Sequence, residues 1–468
     1  MDTPAFRSQK GFYKSMLAMA LPIALQNLLS ASSNLVDTAM VTRLGDLNIA
    51  AVGVAGRWSF FMNLILFGLA SGSSVLISQY WGIKDVKNIQ KTYGIGLMLG
   101  VAVAALYVVM CLFIPEKLAA IYSNDQALIP LAADYLRIVA LGMIPQAYAF
   151  LSSIARRATE DVRVPVIGAC ATTCTNIFFN WVFIYGNLGA PTLGLRGAAI
   201  ATAISMYAHM LVHVVASWRQ KHFTFVPPSR LFRFERAYLG KYLRIAWPVL
   251  INEAMWATGM NLYVMVFARQ GVTNYAGYTV FNSVQELGFI FFVGICSACA
   301  VMVGKAVGSG RPKEAYDIGK RFLIMTPLLG VAVGVLLVLI RNPALNLMGV
   351  ETAQARGVAE SLLLFYSGWV GIRNISYTAV VGIFRAGGDT KMGFFLDCFI
   401  MFAFAVPIVA ILGFWVKVPF IWLVMSMYLA EDAPKTFICL WYFRSKRWIR
   451  QLTQAGNNAD TPPVVEGT

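Results

Sequence analysis

Asp37 has the clearest capacity for chemistry in this chain. It lies late in a long apolar run, and the nearest charged residues along the sequence are Lys14 and Arg43. A carboxylate taken partly out of water can exchange a proton with its surroundings. Alternatively it can anchor Na⁺ together with neighbouring oxygens, because hard cations prefer oxygen ligands. Asn176 and Asn180, in another apolar run, are one helical turn apart and so share a face. Their amides cannot titrate, but their carbonyls can bind a cation. A second group stands in the later half of the chain: Glu253 five residues after Pro248, Glu286 in the following run, and Arg373 as a mid-run cation. A buried cation needs a partner, and Glu253 and Glu286 are the candidates expected to pair with Arg373. Arg57 raises the same question for Asp37; it is expected near an outer interface, reaching water or headgroups.

Other reactive residue types carry less. His209 and His213 have i, i+4 spacing but no third ligand beside them in sequence, so no structural metal is expected. The seven cysteines are an odd number, and Cys170/Cys174 and Cys296/Cys299 sit in stretches rich in small residues, as in helix packing.

These residues must be positioned by membrane helices. The chain is 58% hydrophobic and only 13% charged, with a mean hydropathy of +0.65, whereas soluble domains carry about 25% charged residues. About twelve spans are expected, near 15–41, 48–80, 92–114, 128–155, 163–186, 195–218, 240–268, 275–307, 319–340, 357–384, 393–414 and 418–443. The fold class is therefore an all-α membrane protein. The residues before the first span, with Arg7, Lys10 and Lys14, read as a cytoplasmic tail leading into a retained helix.

The sequence also repeats itself. Pro22, Gly45, Asn48, Gly68 and Gly82 recur as Pro248, Gly271, Asn274, Gly294 and Gly308, each 226 residues later; Arg157, Ala158 and Asp161 recur as Arg385, Ala386 and Asp389, each 228 later. A duplicated six-span half is expected, and an even number of spans gives both halves one orientation, related by a pseudo-two-fold axis along the membrane normal. The expected organisation is a tail (1–14), a first six-helix lobe (15–218), a cytoplasmic linker (219–239) containing Pro227-Pro228, a second lobe (240–443) and a second tail (444–468).

Loop charge sets the expected orientation. Lys and Arg divide roughly 27 to 7 between the two sides when both tails are counted on the basic side, which places both termini in the cytoplasm by the positive-inside rule. The same dispersal over short loops accounts for the net charge of +16 through topology and attraction to anionic lipid, and argues against a nucleic-acid partner. The expected partners are the lipid bilayer and a small-molecule substrate, and the chain is expected to act as a monomer. There is no phosphate-binding G-x-x-x-x-G-K-[ST] stretch and no room for a fused ATPase, so energy is expected from an ion gradient, the substrate's own gradient or a partner chain. No clustered His or acids at one depth suggest a membrane-embedded enzyme.

Several segments together carry a family resemblance. The first span, from Leu21-Pro22-Ile23 through Asn34 and Asp37 to Leu44-Gly45, resembles the opening helix of MATE (multidrug and toxic compound extrusion) transporters. Arg157-Ala158-Thr159-Glu160-Asp161 and Phe384-Arg385-Ala386-Gly387-Gly388-Asp389-Thr390-Lys391 resemble that family's repeated turn. Gly197-Ala198-Ala199-Ile200-Ala201-Thr202 is similar to the start of its sixth helix, and Glu431…Lys435 with Phe443 to Trp448 to the end of its twelfth. The similarity runs in order over roughly residues 15–450 and is to the bacterial NorM- and DinF-like members.

The resemblance implies two six-helix bundles and export of organic, often cationic, compounds across the plasma membrane in exchange for H⁺ or Na⁺, with no other cofactor. It implies a cation-coupling group of Asp37, Asn176, Asn180 and Thr202. In many members the second amide position is Asp; here it is Asn180. Glu253 matches an acid of the NorM-type branch, but the expected tenth-helix acid is replaced by Asn374, so a two-carboxylate Na⁺ site in the second half is not available and H⁺ is the preferred coupling ion. For the substrate cavity, Tyr263, at Asp37's repeat position, and Trp256 are the candidates, because aromatic faces attract organic cations. The alternative reading is a flippase for lipid-linked precursors, which would favour a strongly cationic cavity; Arg57 and Arg373 are the mid-span cations that could serve it.

Overall fold

The computed structural model describes residues 9–225, 236–348 and 352–453. Part of the expected linker, including Pro227-Pro228, and the outer parts of both expected tails lie outside the described residues. Within them the chain is helical, and its one β-type contact is an isolated bridge between Gly388 and Ile449.

Each of the twelve expected stretches forms helix. The elements are α1 (Gln9–Thr42), α2 (Asp46–Gly82), α3 (Val86–Phe113), the short α4 (Pro115–Ala120), α5 (Leu128–Ala140), α6 (Met143–Ala158), α7 (Arg163–Tyr185) and α8 (Leu195–Arg219). The second half has α9 (Arg236–Ala268), α10 (Val272–Gly308), α11 (Pro312–Leu347), α12 (Ala353–Tyr377, continued by wider π-type turns over Thr378–Phe384), α13 (Thr390–Val416, with two π-type stretches) and α14 (Phe420–Arg444). At 1.5 Å per residue the 37-residue α2 is about 55 Å long, more than the ~30 Å hydrocarbon core needs, so its ends project beyond the core.

Eight of these helices are long and apolar enough to cross a membrane unaided, and α5 with α6 makes a ninth, bent by 52° at the break. The bend has a local cause. Pro145 stands in the first turn of α6, where its missing N–H and fixed φ suit a helix start and not a continuation. The three long helices outside that set, α9, α12 and α14, carry Glu253, Arg373, and Glu431, Asp432 and Lys435 in their apolar stretches.

The chain divides into two compact units. One comprises residues 22–77 and 85–246, the other residues 1–21, 78–84 and 247–468. The first is built on a core that includes Leu66, Tyr107, Leu136, Met143 and Ile184. Its α7–α8 hairpin closes tightly because Gly197 lies against the Phe183 carbonyl, where any Cβ would collide. The second has a core around Phe267, Phe281, Phe292, Tyr366 and Met427. Large apolar side chains are left outward on both, for example Phe113, Leu339, Trp415 and Phe437, each more than 70% exposed. An outer surface of that kind is stable against lipid tails and unsuited to water.

Candidate functional site

The first unit gathers the sequence-derived polar group at one point. Asn180, fully buried on α7, donates from Nδ2 to Asp37 Oδ1 on α1 at 2.6 Å. The same Nδ2 lies 3.2 Å from Asn176 Oδ1, and Asn176 Nδ2 reaches Thr202 Oγ1 on α8 at 3.5 Å. Tyr135 of α5 stands beside both Asp37 and Thr202. The helical spacing that put both amides on one face of α7 thus meets a carboxylate from α1 and a hydroxyl from α8. Asp37 is half-buried, and among the described residues no cation pairs with it; neutral donors surround it. Asn180 Oδ1 is buried and has no hydrogen-bond partner. That spare acceptor is what either a carboxylic acid O–H or a cation would use. Arg57 is exposed on α2, and Asp37 is held by Asn180.

The second unit is organised differently. Arg385 Nη1 contacts Glu253 Oε1 at 2.8 Å. Arg373 Nη1 lies 3.8 Å from Asp432 Oδ2, which also accepts from Trp369 Nε1 at 3.0 Å. The Arg373 guanidinium sits over the Tyr428 ring, 4.9 Å from its centre. Lys435 pairs with Asp397 and lies 3.9 Å from Glu431 Oε1; Asn252 Nδ2 donates to Asp397 Oδ2 at 2.9 Å.

The expected partner of Arg373 therefore needs correcting. It is neither Glu253 nor Glu286 but Asp432. Glu253 is taken by Arg385, and Glu286 is exposed on α10 beside Asn282. Glu253 and Glu286 lie on α9 and α10, whereas the acid that reaches Arg373, Asp432, comes from α14 through a contact of long sequence separation. Sequence reasoning missed Asp397, Glu431, Asp432 and Lys435 as a buried set. The signal was present: two adjacent acids inside an apolar span cost at least ~3 kcal/mol each at the bilayer centre unless partnered.

Tyr263 also needs correction as a cavity residue. Its ring is fully buried in the second core and its hydroxyl donates to Glu431 Oε2 at 3.2 Å. Trp256 is 39% exposed. Asn374 is fully buried; its Nδ2 bonds the Val370 carbonyl at 2.7 Å, while its Oδ1 has no partner. His209 and His213 pack ring to ring, and His213 Nε2 meets Ser153 Oγ at 2.9 Å. Among the described residues no three His, Cys, Asp or Glu side chains gather as metal ligands.

The turns at the ends of the fourth span of each half are also fixed by ion pairs. Buried Arg156 pairs with Asp161 and donates to Gln220 Oε1 at 3.0 Å and Ser217 Oγ at 2.9 Å. In the loop after α8, burial, and secondarily the Arg156 charge, push the His222 pKa down to about 4. In the other half Asp389 caps α13, accepting from Met392 N at 3.2 Å, and receives Arg450 Nη2 at 2.9 Å.

A sequence model of the MatE family matches twice, over residues 22–182 and again over 248–415, so one family pattern covers both halves of the repeat. A probable multidrug resistance protein NorM of Thermotoga maritima is 24% identical over 341 residues, 71% of this chain and 72% of its own length. The probable multidrug resistance protein YoeA of Bacillus subtilis is 25% identical over 421 residues, 88% and 89% of the two chains. Among solved structures, a Vibrio cholerae MATE transporter superposes with a TM-score of 0.83 at 15% identity, covering 95% of this chain and 97% of that one. A MATE protein in a bent conformation gives 0.82 at 18% identity, covering 95% and 98%. At those identities the structural likeness concerns the fold alone.

Proposed function

Since the chain belongs to the MATE family and is a multi-pass multidrug efflux transporter, we propose that it exports organic, often cationic, compounds across the plasma membrane in exchange for inward-moving H⁺. The single observation that carries this reading is the Asp37 carboxylate, held by Asn180 and surrounded by neutral groups. When ionised, Asp37 accepts from Asn180 Nδ2. When it takes a proton, the Asn180 amide can turn and present its unused Oδ1 to the new O–H. Neutralising the carboxylate removes a charge that costs at least ~3 kcal/mol at the bilayer centre, which eases passage between inward- and outward-open forms. A cationic substrate competes for the same carboxylate, so proton binding drives its release. The unequal division of loop charge supports a cytoplasmic location for both termini.

The donor set of Asp37, Asn176, Asn180 and Thr202 oxygens also suits Na⁺, so the test applies the two gradients separately. Proteoliposomes with an imposed pH gradient should export ethidium, and those with an imposed Na⁺ gradient alone should not. Asp37→Asn should abolish the gradient-driven flux while inserting normally. Full export by that variant would sink the mechanism. The flippase reading has less support, because Arg373 is committed to Asp432 and the Tyr428 ring.

A further inference from the structure

The buried network of the second unit does not balance. Among the described residues it holds four carboxylates, Glu253, Asp397, Glu431 and Asp432, against three cations, Arg373, Arg385 and Lys435, none of them more than 18% exposed in its side chain. Glu253 has Arg385, and Asp432 has Arg373. Asp397 has Lys435 in direct contact, whereas Glu431 shares that ammonium only at 3.9 Å. Glu431 is therefore the carboxylate without a cation of its own.

Asn252, 2% exposed, donates to Asp397 from Nδ2 and leaves its Oδ1 buried without a partner, and Asn374 Oδ1 is likewise unpartnered, so spare acceptors lie in the same unit. Among the described residues the network is short by one positive charge.

We infer that Glu431 is a second proton-exchange site, distinct from Asp37 and supplied by the other half of the molecule. The inference rests on the reading of this chain as a proton-driven exporter. A proton from the aqueous phase adds to a Glu431 carboxylate oxygen, giving the neutral acid, and leaves again as a proton on the other side. The charged and titratable groups facing it are Lys435 and Asp432 on its own helix, Arg373 on α12, Asp397 on α13 and Tyr263 on α9. Lys435 and Arg373 would repel a metal cation placed there, whereas a proton is held by a covalent bond and needs no ligand cage. Tyr263 gives the step a mechanical output. Its hydroxyl now donates to Glu431 Oε2, and protonation of that carboxylate weakens this hydrogen bond between α9 and α14. Tyr263 also occupies Asp37's repeat position, so both halves put their exchanging carboxylate against the same helix of the repeat: on it in one, facing it in the other.

The test uses the full chain in proteoliposomes with ethidium as probe, and reads the proton-to-substrate ratio from the reversal of flux under opposed pH and ethidium gradients. Glu431→Gln should lower the ratio by one proton per ethidium, and an unchanged ratio would overturn the inference. If the wild-type protein moves no ethidium under a pH gradient, it is the exporter reading that fails. A second measurement then decides Glu431 by itself. Acid-minus-alkaline infrared difference spectra of the solubilised protein should show a protonated-carboxyl C=O band in the wild type and in Asp37→Asn, reduced in Glu431→Gln. A band unaltered by Glu431→Gln rejects the site even in a variant that does not transport.

Discussion

The two halves of this transporter solve one problem in opposite ways. In the first, a single carboxylate, Asp37, is surrounded by neutral amide and hydroxyl groups. In the second, four carboxylates interlock with three permanent cations. The repeat shows where they diverged. At Asp37's position the second half has Tyr263. The Arg385–Glu253 pair corresponds to Arg157 and Asn27, which cannot make it, and Asn27 Nδ2 is left without a partner. Arg373 corresponds to Pro145: the residue that ends α5–α6 continuity in one half is a buried guanidinium in the unbroken α12 of the other. Backbone-determining residues kept the frame, while buried charges, which persist only where a partner is in reach, were exchanged piecemeal.

The largest expected effect tests whether coupling follows that division. Asp37→Asn should leave no measurable gradient-driven export at wild-type expression. If export instead survives Asp37→Asn and is lost in Glu431→Gln, the roles of the two halves are reversed.

The next effect is on stability and belongs to the charged half. Arg373→Met leaves Asp432 buried without its cation, and breaking such a pair costs about 3–5 kcal/mol, seen as a lowered thermal unfolding midpoint in detergent. Arg373→Met combined with Asp432→Leu should recover most of the loss. A single variant as stable as the wild type would show the 3.8 Å pair to be ornamental.

Asn180→Ala removes the donor held at 2.6 Å from Asp37. Hydrogen bonds to charged groups contribute about 1.5–3 kcal/mol, so the proton concentration giving half-maximal export should shift by roughly 10- to 100-fold. Asn180→Asp, which restores a second titratable group, should instead raise the proton-to-substrate ratio.

The smallest effect lies outside the membrane. The depressed pKa of His222 means that the folded state holds it neutral. Its contribution is present above the unfolded value of 6.5 and is lost as pH falls from there through about 4. His222→Gln should flatten the acid limb of the stability profile in that window, measured as unfolding midpoint against pH. An unchanged profile would assign the acid sensitivity to other groups.

The amino-acid sequence carries much of this. Apolar runs mark every span, and the Asn176/Asn180 spacing puts both amides on the face where Asp37 is met. Thr202, by contrast, joins the group through family resemblance, since a lone threonine in an apolar helix has no local signature. The second half is less legible for a physical reason. Which carboxylate meets Arg373 depends on how α12 packs on α14, a contact between residues 59 apart in sequence. No periodicity within one helix encodes that, and Glu431 and Asp432 read locally as part of a helix-end motif.

The surplus carboxylate in each cluster has an electrical consequence. One elementary charge carried through the full membrane potential is worth about 2.3 kcal/mol per 100 mV. On the proposed exchange, Asp37 and Glu431 are neutral acids on the inward, proton-loaded step, and on the outward step they are carboxylates, with the cationic substrate opposite Asp37. The voltage dependence of turnover would then reside in the outward step, where an inside-negative potential favours outward movement of any carboxylate the substrate leaves uncompensated. Clamping the potential at zero should change the rate of that step and leave the proton-loaded one nearly unaffected.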